Sequence, residues 1–153
     1  MADGKKIICV NKKARYDYQL LETYEAGLSL LGTEVKSLRE GRANLIDSYA
    51  EIKGNEIFLI NTHISQYPQA NQFNHDPLRE RKLLLHKKEI SRLIGKVKER
   101  GLTLIPLTLY FLRGNAKIEL ALAKGKKSYD KREDIKKQTA RREIEREMKD
   151  RLR

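Results

Sequence analysis

The chain of 153 residues is poor in cysteine and tryptophan and contains no long apolar run. Its single cysteine, Cys9, excludes an internal disulfide and is typical of a reducing compartment; we expect a small buried side chain there rather than a reactive thiol. No stretch approaches the roughly 18 consecutive apolar residues of a membrane-spanning helix, and no signal-peptide pattern opens the sequence. These features predict a cytoplasmic protein that has no membrane partner.

Residue patterns for catalysis or metal binding are also missing. The sequence contains no Gly-rich phosphate loop followed by Lys-Ser/Thr and no paired cysteines for zinc. His63, His75 and His86 have no second histidine or carboxylate at ligand spacing on a common helix face, so we expect surface or capping histidines. The sequence predicts no catalytic residue, no metal and no cofactor.

Positive charge is what the chain has in excess. The net charge is +12, from 33 basic and 21 acidic residues, and the surplus is shared between the body and the C-terminal segment. Residues 124–153 hold 13 of the basic and 7 of the acidic residues. A chain of this kind usually binds an anionic partner, most often RNA, DNA or an anionic membrane. The absence of Trp and Phe from the C-terminal segment argues against a membrane surface.

The C-terminal segment has too few apolar residues to fold alone. Ile144, Met148 and Leu152 recur every fourth residue, which places them on one side of a helix. Such a thin stripe cannot offset the entropy of ordering thirty residues. We therefore divide the chain into a domain of residues 1–123 and a basic tail of residues 124–153 that is disordered when free and becomes helical on a partner.

The body is dominated by strand patterns. Residues 49–60 and 103–123 predict two hairpins, with turns at 53–55 and 113–115, and residues 18–31 predict further strand. Pro106 predicts an edge or a bulge. Residues 87–100 predict a helix that ends at Gly101, residues 36–42 predict a shorter helix, and residues 65–77 predict a surface loop. The fold class is mainly β: a small oligonucleotide-binding-type β-barrel with flanking helices and a disordered basic C-terminal tail.

Four basic clusters are spaced along this body and the start of the tail. They consist of Lys12, Lys13 and Arg15; Lys36, Arg39 and Arg42; Arg79, Arg81 and Lys82; and Lys124, Lys126 and Lys127. Tyrosines lie among them, at Tyr16, Tyr18, Tyr24 and Tyr67. Since phosphates attract cations and unstacked bases stack on aromatic rings, this pattern favours RNA as the partner.

Three motif pairs resemble those of the SmpB family, also called SsrA-binding proteins. The first is 32–45 (GTEVKSLREGRANL) with 47–49 (DSY), and the second is 76–77 (DP) with 79–85 (RERKLLL). The third is 123–127 (AKGKK) with 130–132 (DKR). The resemblance extends from about Ile8 into the tail, in order and without large gaps.

The resemblance implies a function. Proteins of this family are not enzymes; they bind the tRNA-like part of transfer-messenger RNA and bring it to stalled bacterial ribosomes in trans-translation. The family fold is an oligonucleotide-binding-type barrel, and the tail becomes helical in the empty mRNA channel near the small-subunit rRNA of the decoding centre. Elongation factor Tu is an indirect partner through the charged RNA, and we expect a monomer.

The resemblance also assigns roles to residues. Asn11, Glu25 and Leu84 match positions that grip transfer-messenger RNA, although the sequence alone favours an exposed strand acid at Glu25 and a core residue at Leu84. With the basic clusters, the expected RNA contacts are Asn11, Lys12, Lys13, Arg15, Glu25, Lys36, Arg39, Arg81, Lys82, Leu84, Lys124, Lys126 and Lys127. In the tail, the expected contacts with the decoding centre and the mRNA channel are Tyr129, Asp130, Lys131, Arg132, Lys136, Lys137, Arg141 and Arg142. Some family members carry His where this chain has Tyr129.

Two other classes of protein remain compatible with the composition. A structural ribosomal protein also combines a globular body with a basic extension, and it would stay permanently on rRNA. An RNA-processing enzyme would turn over an RNA substrate and lose that activity on one His or Glu substitution.

Overall fold

The structure is a computed structural model that describes residues 4–69, 74–125 and 128–151. The strands are β1 (Lys5–Val10), β2 (Tyr18–Leu28), β3 (Ala43–Asn44), β4 (Tyr49–Lys53), β5 (Glu56–Ile60), β6 (His63–Ile64), β7 (Arg81–Leu84), β8 (Thr103–Leu112) and β9 (Asn115–Gly125). The helices are α1 (Ala14–Asp17), α2 (Gly32–Arg39), α3 (Lys87–Arg100) and α4 (Ser128–Arg151).

Six strands form a closed antiparallel barrel. Their order is β8-β4-β5-β7-β2-β9, and β9 pairs back with β8 to complete the ring. β8 is long enough to pair on one side with β9 and on the other with both β4, at Leu104, and β1, along Thr108–Leu112. β3 and β6 pair separately. The prediction of a mainly β small barrel with flanking helices is confirmed.

Both predicted hairpins are present, with their turns at glycine. Gly54 (φ +64°) and Gly114 (φ +83°) adopt the left-handed conformation that these tight turns require. Ile118, Leu120 and Leu122 alternate along β9 and are buried inside the barrel, as their spacing predicts. The barrel core is therefore built from the inward-facing half of each hairpin.

A second, smaller core lies on the outer face of β8 and β9. The short helix α1 covers Ile105, Leu107, Ala121 and Ala123 with Ala14, so β9 is buried on both faces near its end. With only four residues, α1 has too little periodicity to be predicted from the sequence. At Pro106 the register between β8 and β9 shifts, which confirms the predicted bulge; proline lacks the N–H that a regular ladder would need there.

Helix α3 has the predicted bounds. Gly101 follows it with φ +62°, the left-handed conformation that ends many helices. At the other end, the backbone N–H of His86 donates to Glu89 Oε1 at 3.4 Å. Leu93 enters the barrel core, so α3 is held to the barrel by its apolar stripe.

Helix α2 begins and ends earlier than residues 36–42. Glu34 accepts a hydrogen bond from the Leu31 N–H at 2.8 Å, which satisfies a free donor at the helix start, and Gly41 (φ +73°) lies beyond its end. The predicted helix end at residue 42 is therefore wrong: Arg42 lies outside α2, and its Nε is 3.1 Å from Glu40 Oε2.

The final helix α4 carries its apolar stripe in solvent. Ile135, Ile144 and Met148 are 46%, 56% and 61% exposed, and α4 contacts α1 near the barrel. β9 continues to Gly125, two residues past the boundary we placed after 123. Within the described ranges, no helix is both long and apolar enough to cross a bilayer.

Cys9 lies in β1 and is half-buried against the barrel core. Burial raises the pKa of its thiol to about 11, because desolvation disfavours the thiolate. At neutral pH the group is therefore a protonated, unreactive thiol.

Candidate nucleic-acid interface

Three of the predicted basic residues near the start of β2 come together with a fourth from β9. Lys12 and Lys13 precede α1, Arg15 lies in it, and α1 leads directly into β2. Lys124 is paired in register with Gln19 of β2. All four basic side chains are exposed, so this end of the barrel presents positive charge to solvent.

Asn11 lies in a crevice beside this basic end. Its Nδ2 donates to the carbonyl oxygen of Pro106 at 2.9 Å, and the crevice is also lined by Lys13, Tyr18 and Tyr49. The amide therefore secures the bulge in β8 as well as facing the crevice. Asn11→Ala would accordingly affect folding, which our sequence-based assignment of Asn11 to RNA alone did not foresee.

Glu25 and Leu84, widely separated in sequence, line one cavity of about 340 Å³. Its wall includes Gly27, Lys117 and His86. Leu84 is 51% exposed, so the sequence-based preference for a core position is wrong. The alternation of β7 explains the difference, because Arg81 and Leu83 point inward and Lys82 and Leu84 point outward.

Gly27 of β2 lies next to Leu84 and, having no side chain, leaves room for this cavity. It is paired with Leu84 in the β2–β7 register, and a Cβ at Gly27 would lie 3.3 Å from the Leu84 Cβ and 3.7 Å from the Lys117 Nζ. A side chain there would press on the Leu84 Cβ and would lie in ordinary van der Waals contact with the Lys117 Nζ. Glycine therefore keeps the floor between Leu84 and Lys117 open.

The carboxylate of Glu25 is held by a tyrosine that the sequence analysis did not single out. Glu25 Oε2 accepts a hydrogen bond from the hydroxyl of Tyr110, and Lys5 Nζ lies 4.3 Å from the centre of the Tyr110 ring. Burial, and then the bond to Glu25, raises the pKa of Tyr110 far above its ordinary value of 10, so the hydroxyl stays a donor. Only the barrel brings β8 and β2 close enough for this contact.

The predicted RNA contact of Arg81 is wrong, because its side chain is completely buried. Arg81 Nε donates to Glu34 Oε2 at 2.6 Å, and Arg81 Nη1 donates to the Thr62 carbonyl at 2.6 Å. Arg79 donates to the other oxygen of Glu34, also at 2.6 Å. This arginine pair joins β7 to α2, and no signal in the sequence distinguishes it from an exposed basic cluster.

The other basic side chains of the body that we predicted as RNA contacts are exposed to solvent. Lys36 and Arg39 are exposed on α2, and Lys36 Nζ lies 5.5 Å from the centre of the Tyr67 ring. Lys82 is exposed on β7 and pairs with Glu56 at 3.1 Å. Lys126 and Lys127 lie outside the described residues. Lys36 and Arg39 therefore lie on α2, apart from the basic end, which includes α1, and apart from the cavity.

The predicted tail contacts lie on α4. Arg132, Lys136, Lys137, Arg141 and Arg142 are all exposed along it. Tyr129, Asp130 and Lys131 belong to the helix by their backbone, and their side chains lie outside the described residues. The tail therefore carries a row of exposed cations and a stripe of exposed apolar side chains.

One histidine differs from the expected surface or capping role. His75 is buried, with Nδ1 2.9 Å from the Thr33 hydroxyl and Nε2 2.8 Å from the Ile64 carbonyl oxygen. It ties the loop after β6 to the start of α2. In the parts of the chain that the structure describes, no three His, Cys, Asp or Glu side chains are grouped to hold a metal ion.

Comparisons with known proteins identify the family. The family model described as SmpB protein matches residues 8–150. The SsrA-binding protein of Geobacillus thermodenitrificans is 62% identical over 146 residues, which cover 95% of this chain and 94% of that protein. That of Pelotomaculum thermopropionicum is 61% identical over 148 residues, 97% of each chain.

A solved structure agrees with the sequence relatives. It is described as "tmRNA-SmpB: a journey to the center of the bacterial ribosome", and one of its chains matches with a TM-score of 0.65 and 53% identity, covering 78% of this chain and 85% of that one. The two sequence relatives cover 95% and 97% of this chain. This chain belongs to the SmpB family of SsrA-binding proteins.

Proposed function

We propose that this protein binds the tRNA-like domain of transfer-messenger RNA and delivers it to stalled ribosomes for trans-translation. The observation that carries the proposal is the family match at about 60% identity over nearly the whole chain. The geometry is compatible with it, because an exposed basic barrel end and a cavity with an exposed leucine are features that bind RNA phosphates and unstacked bases.

The body is the part that holds the RNA in this proposal. The cations at the start of β2 bind phosphates, and the cavity between Glu25 and Leu84 accepts a base. These two places lie at opposite ends of β2, seven residues apart from Tyr18 to Glu25. At the rise of a strand, that separation is roughly 20 Å, enough for several nucleotides.

The tail serves the ribosome. Its exposed cations from Arg132 to Arg142 suit the phosphates that line the empty mRNA channel, and the stripe containing Ile144 and Met148 suits an rRNA or protein surface within it. We infer that the tail is disordered in the free protein and that α4 is the conformation it adopts when bound. Asp130, Lys131 and Arg132 then act near the decoding centre, beside Tyr129.

We infer that the protein acts by binding alone and makes or breaks no bond. Its place is the cytoplasm, where ribosomes stall, and it works as a monomer that meets elongation factor Tu only through the charged RNA. A ribosomal protein would instead remain on rRNA at all times, and a processing enzyme would consume RNA.

A competition binding assay tests the proposal. Labelled tRNA-like domain of transfer-messenger RNA is bound at near-physiological salt and challenged with unlabelled alanine tRNA and with random RNA of equal length. We expect a clear preference for the tRNA-like domain. Equal competition by all three RNAs would mean that the body reads phosphate charge only, and the ribosomal-protein alternative would take precedence.

A further inference from the structure

A carboxylate on an RNA-binding surface needs a reason to be there. Glu25 is exposed on the outer face of β2 and lies opposite Glu119 of β9, so two acids stand side by side on a surface proposed to meet phosphates. Like charges directly opposite each other destabilise a sheet. Within the fold, the hydrogen bond from the Tyr110 hydroxyl offsets part of this repulsion; toward phosphates, Glu25 opposes binding unless it accepts a hydrogen bond from the RNA.

The side chain of Tyr110 crosses β9 to reach Glu25. Tyr110 is paired with Lys117 in the β8–β9 register, while Glu25 is paired with Glu119 in the β2–β9 register. Because the Tyr110 hydroxyl nevertheless donates to Glu25 Oε2, its ring must lie over the middle strand. Tyr110 is only 3% exposed, so its position is fixed by packing.

Two lysines lie near this contact. Lys5 of β1 lies against the face of the Tyr110 ring at 4.3 Å, and Lys117 of β9 lines the same cavity as Glu25. Tyr110 therefore contacts Lys5 through its ring face and Glu25 through its hydroxyl. The hydrogen bond from Tyr110 holds one oxygen of the Glu25 carboxylate, and Glu25 lines the cavity.

The second carboxylate oxygen is left for a ligand. Glu25 Oε1 accepts no hydrogen bond from the part of the chain that the structure describes, and the cavity that Glu25 lines contains the exposed side chain of Leu84. A base lying on Leu84 would present its edge toward the acid. An ionised carboxylate accepts only, so it selects an edge that carries an amino group or a ring N–H.

We propose that Tyr110 is a positioning residue that orients Glu25 to accept a hydrogen bond from the amino or ring N–H edge of an unstacked base lying on Leu84. This inference rests on the proposed function, since it names how that same surface recognises its RNA. Tyr110 does not touch the RNA; it acts through Glu25. The phosphate-binding lysines supply affinity, and the positioned carboxylate supplies selection.

A double-mutant cycle between Tyr110→Phe and Glu25→Ala tests the inference. Binding of the tRNA-like domain is measured at fixed salt, beside an RNA of equal length made of N3-methyluridine, whose bases carry no N–H that the carboxylate could accept. We expect Tyr110→Phe to weaken binding of the tRNA-like domain about three- to tenfold, the range of one ordinary hydrogen bond. Glu25→Ala should weaken it by at least roughly tenfold. Binding of the N3-methyluridine RNA should stay unchanged in Tyr110→Phe, and it should stay unchanged or tighten in Glu25→Ala, which loses a negative charge.

Coupling is the readout that a purely structural tyrosine would not produce. In the Glu25→Ala background, Tyr110→Phe should have no further effect on RNA affinity, because there is no carboxylate left to orient. Glu25→Asp keeps the charge but shortens the side chain by one methylene, so it should lose nearly as much affinity as Glu25→Ala. This variant leaves Tyr110 intact and tests the inference even if Tyr110→Phe folds poorly.

Tyr24→Phe is the matched control. The Tyr24 hydroxyl donates to Glu22 Oε2, the same type of contact on the opposite face of β2, where Glu22 also accepts a hydrogen bond from Lys96 of α3. We expect its RNA affinity to equal that of the wild type. If Tyr24→Phe and Tyr110→Phe weaken RNA binding equally, the effect is general and the inference is wrong.

The remaining outcomes separate the inference from the proposed function. If the wild type binds the tRNA-like domain and the N3-methyluridine RNA equally, the proposed function fails, and a base-reading Glu25 fails with it. If the wild type discriminates but Tyr110→Phe binds normally, or loses the same factor in both backgrounds, only the positioning role is contradicted.

Discussion

Glu34 joins α2 to the chain segment around β7 through hydrogen bonds to two arginines. It is fully buried, and its two oxygens accept hydrogen bonds from Arg79, Arg81 and the Leu31 N–H. Burying a carboxylate without partners would be prohibitive, whereas two arginines and an N–H satisfy it. This cluster connects α2 to β7, and Arg81 also donates to the carbonyl of Thr62, just before β6, and to that of Pro77, in the loop after β6.

Glu34→Gln should lower the free energy of unfolding by about 3–5 kcal/mol, because it leaves buried Arg81 without a counter-charge. Chemical denaturation at pH 7 measures the change. The control is Glu80→Gln, which removes the exposed partner of Lys53 and should be nearly neutral. Equal effects of the two substitutions would show that burial does not decide the energy of this pair.

The same carboxylate predicts an acid sensitivity. Burial alone would raise the pKa of Glu34, but the hydrogen bonds from Arg79, Leu31 and Arg81 together lower it below the ordinary value of 4.5. Its stabilisation is therefore complete above about pH 4.5 and is lost as the pH falls through the folded-state pKa. Between pH 7 and pH 3, the stability gap between wild type and Glu34→Gln should narrow only below about pH 4.5. A gap that is constant over this range would contradict the assignment.

At the scale of elements, two glycines of similar surroundings should respond in opposite directions. Gly101 ends α3 with φ +62°, whereas Gly95 lies within α3, and a Cβ at either position meets no atom within 4 Å. Gly101→Ala should cost about 1 kcal/mol, because alanine is strained in the left-handed conformation. Gly95→Ala should stabilise by about 0.5–1 kcal/mol through helix propensity.

Thermal unfolding of both glycine variants checks this expectation. Because neither site is crowded, the difference isolates backbone conformation from packing. Destabilisation by Gly95→Ala as well would indicate that the exposed face of α3 meets a neighbour.

The elements also show where sequence patterns succeed. The hairpins and α3 were predicted correctly because their apolar spacing and their glycine turns are local signals. β7 and α1 were missed, since a four-residue strand and a four-residue helix carry too little periodicity to be recognised. The predicted bounds of α2 were too far along the chain, because the start of this helix depends on Glu34, whose partners lie about 45 residues further on.

At the scale of the whole molecule, the barrel and the tail should be separable. Cutting the chain after Lys127 removes α4, whose described apolar side chains are exposed, and the contact of α4 with α1. We expect the truncated protein to keep its thermal midpoint and its affinity for the tRNA-like domain, and to lose peptide tagging on stalled ribosomes. Circular dichroism, RNA binding and a reconstituted tagging assay measure the three quantities.

A control for this truncation keeps the charge and scrambles the order of residues 128–153. It should bind RNA like the wild type and recover little tagging if the spacing of the tail matters. Loss of affinity for the tRNA-like domain in the truncated protein would show instead that the tail takes part in holding the RNA.

The sequence by itself determined the family, the small β-barrel, the hairpins, α3 and the basic surplus. These depend on local periodicity, turn residues, overall charge and motif order, all of which are properties of the residue order itself. The tertiary structure alone decided that Arg81 is buried, that Leu84 is exposed and lies with Glu25, and that Tyr110 holds Glu25. These facts depend on strand register and barrel closure, because residues far apart in sequence become neighbours only when the sheet wraps onto itself.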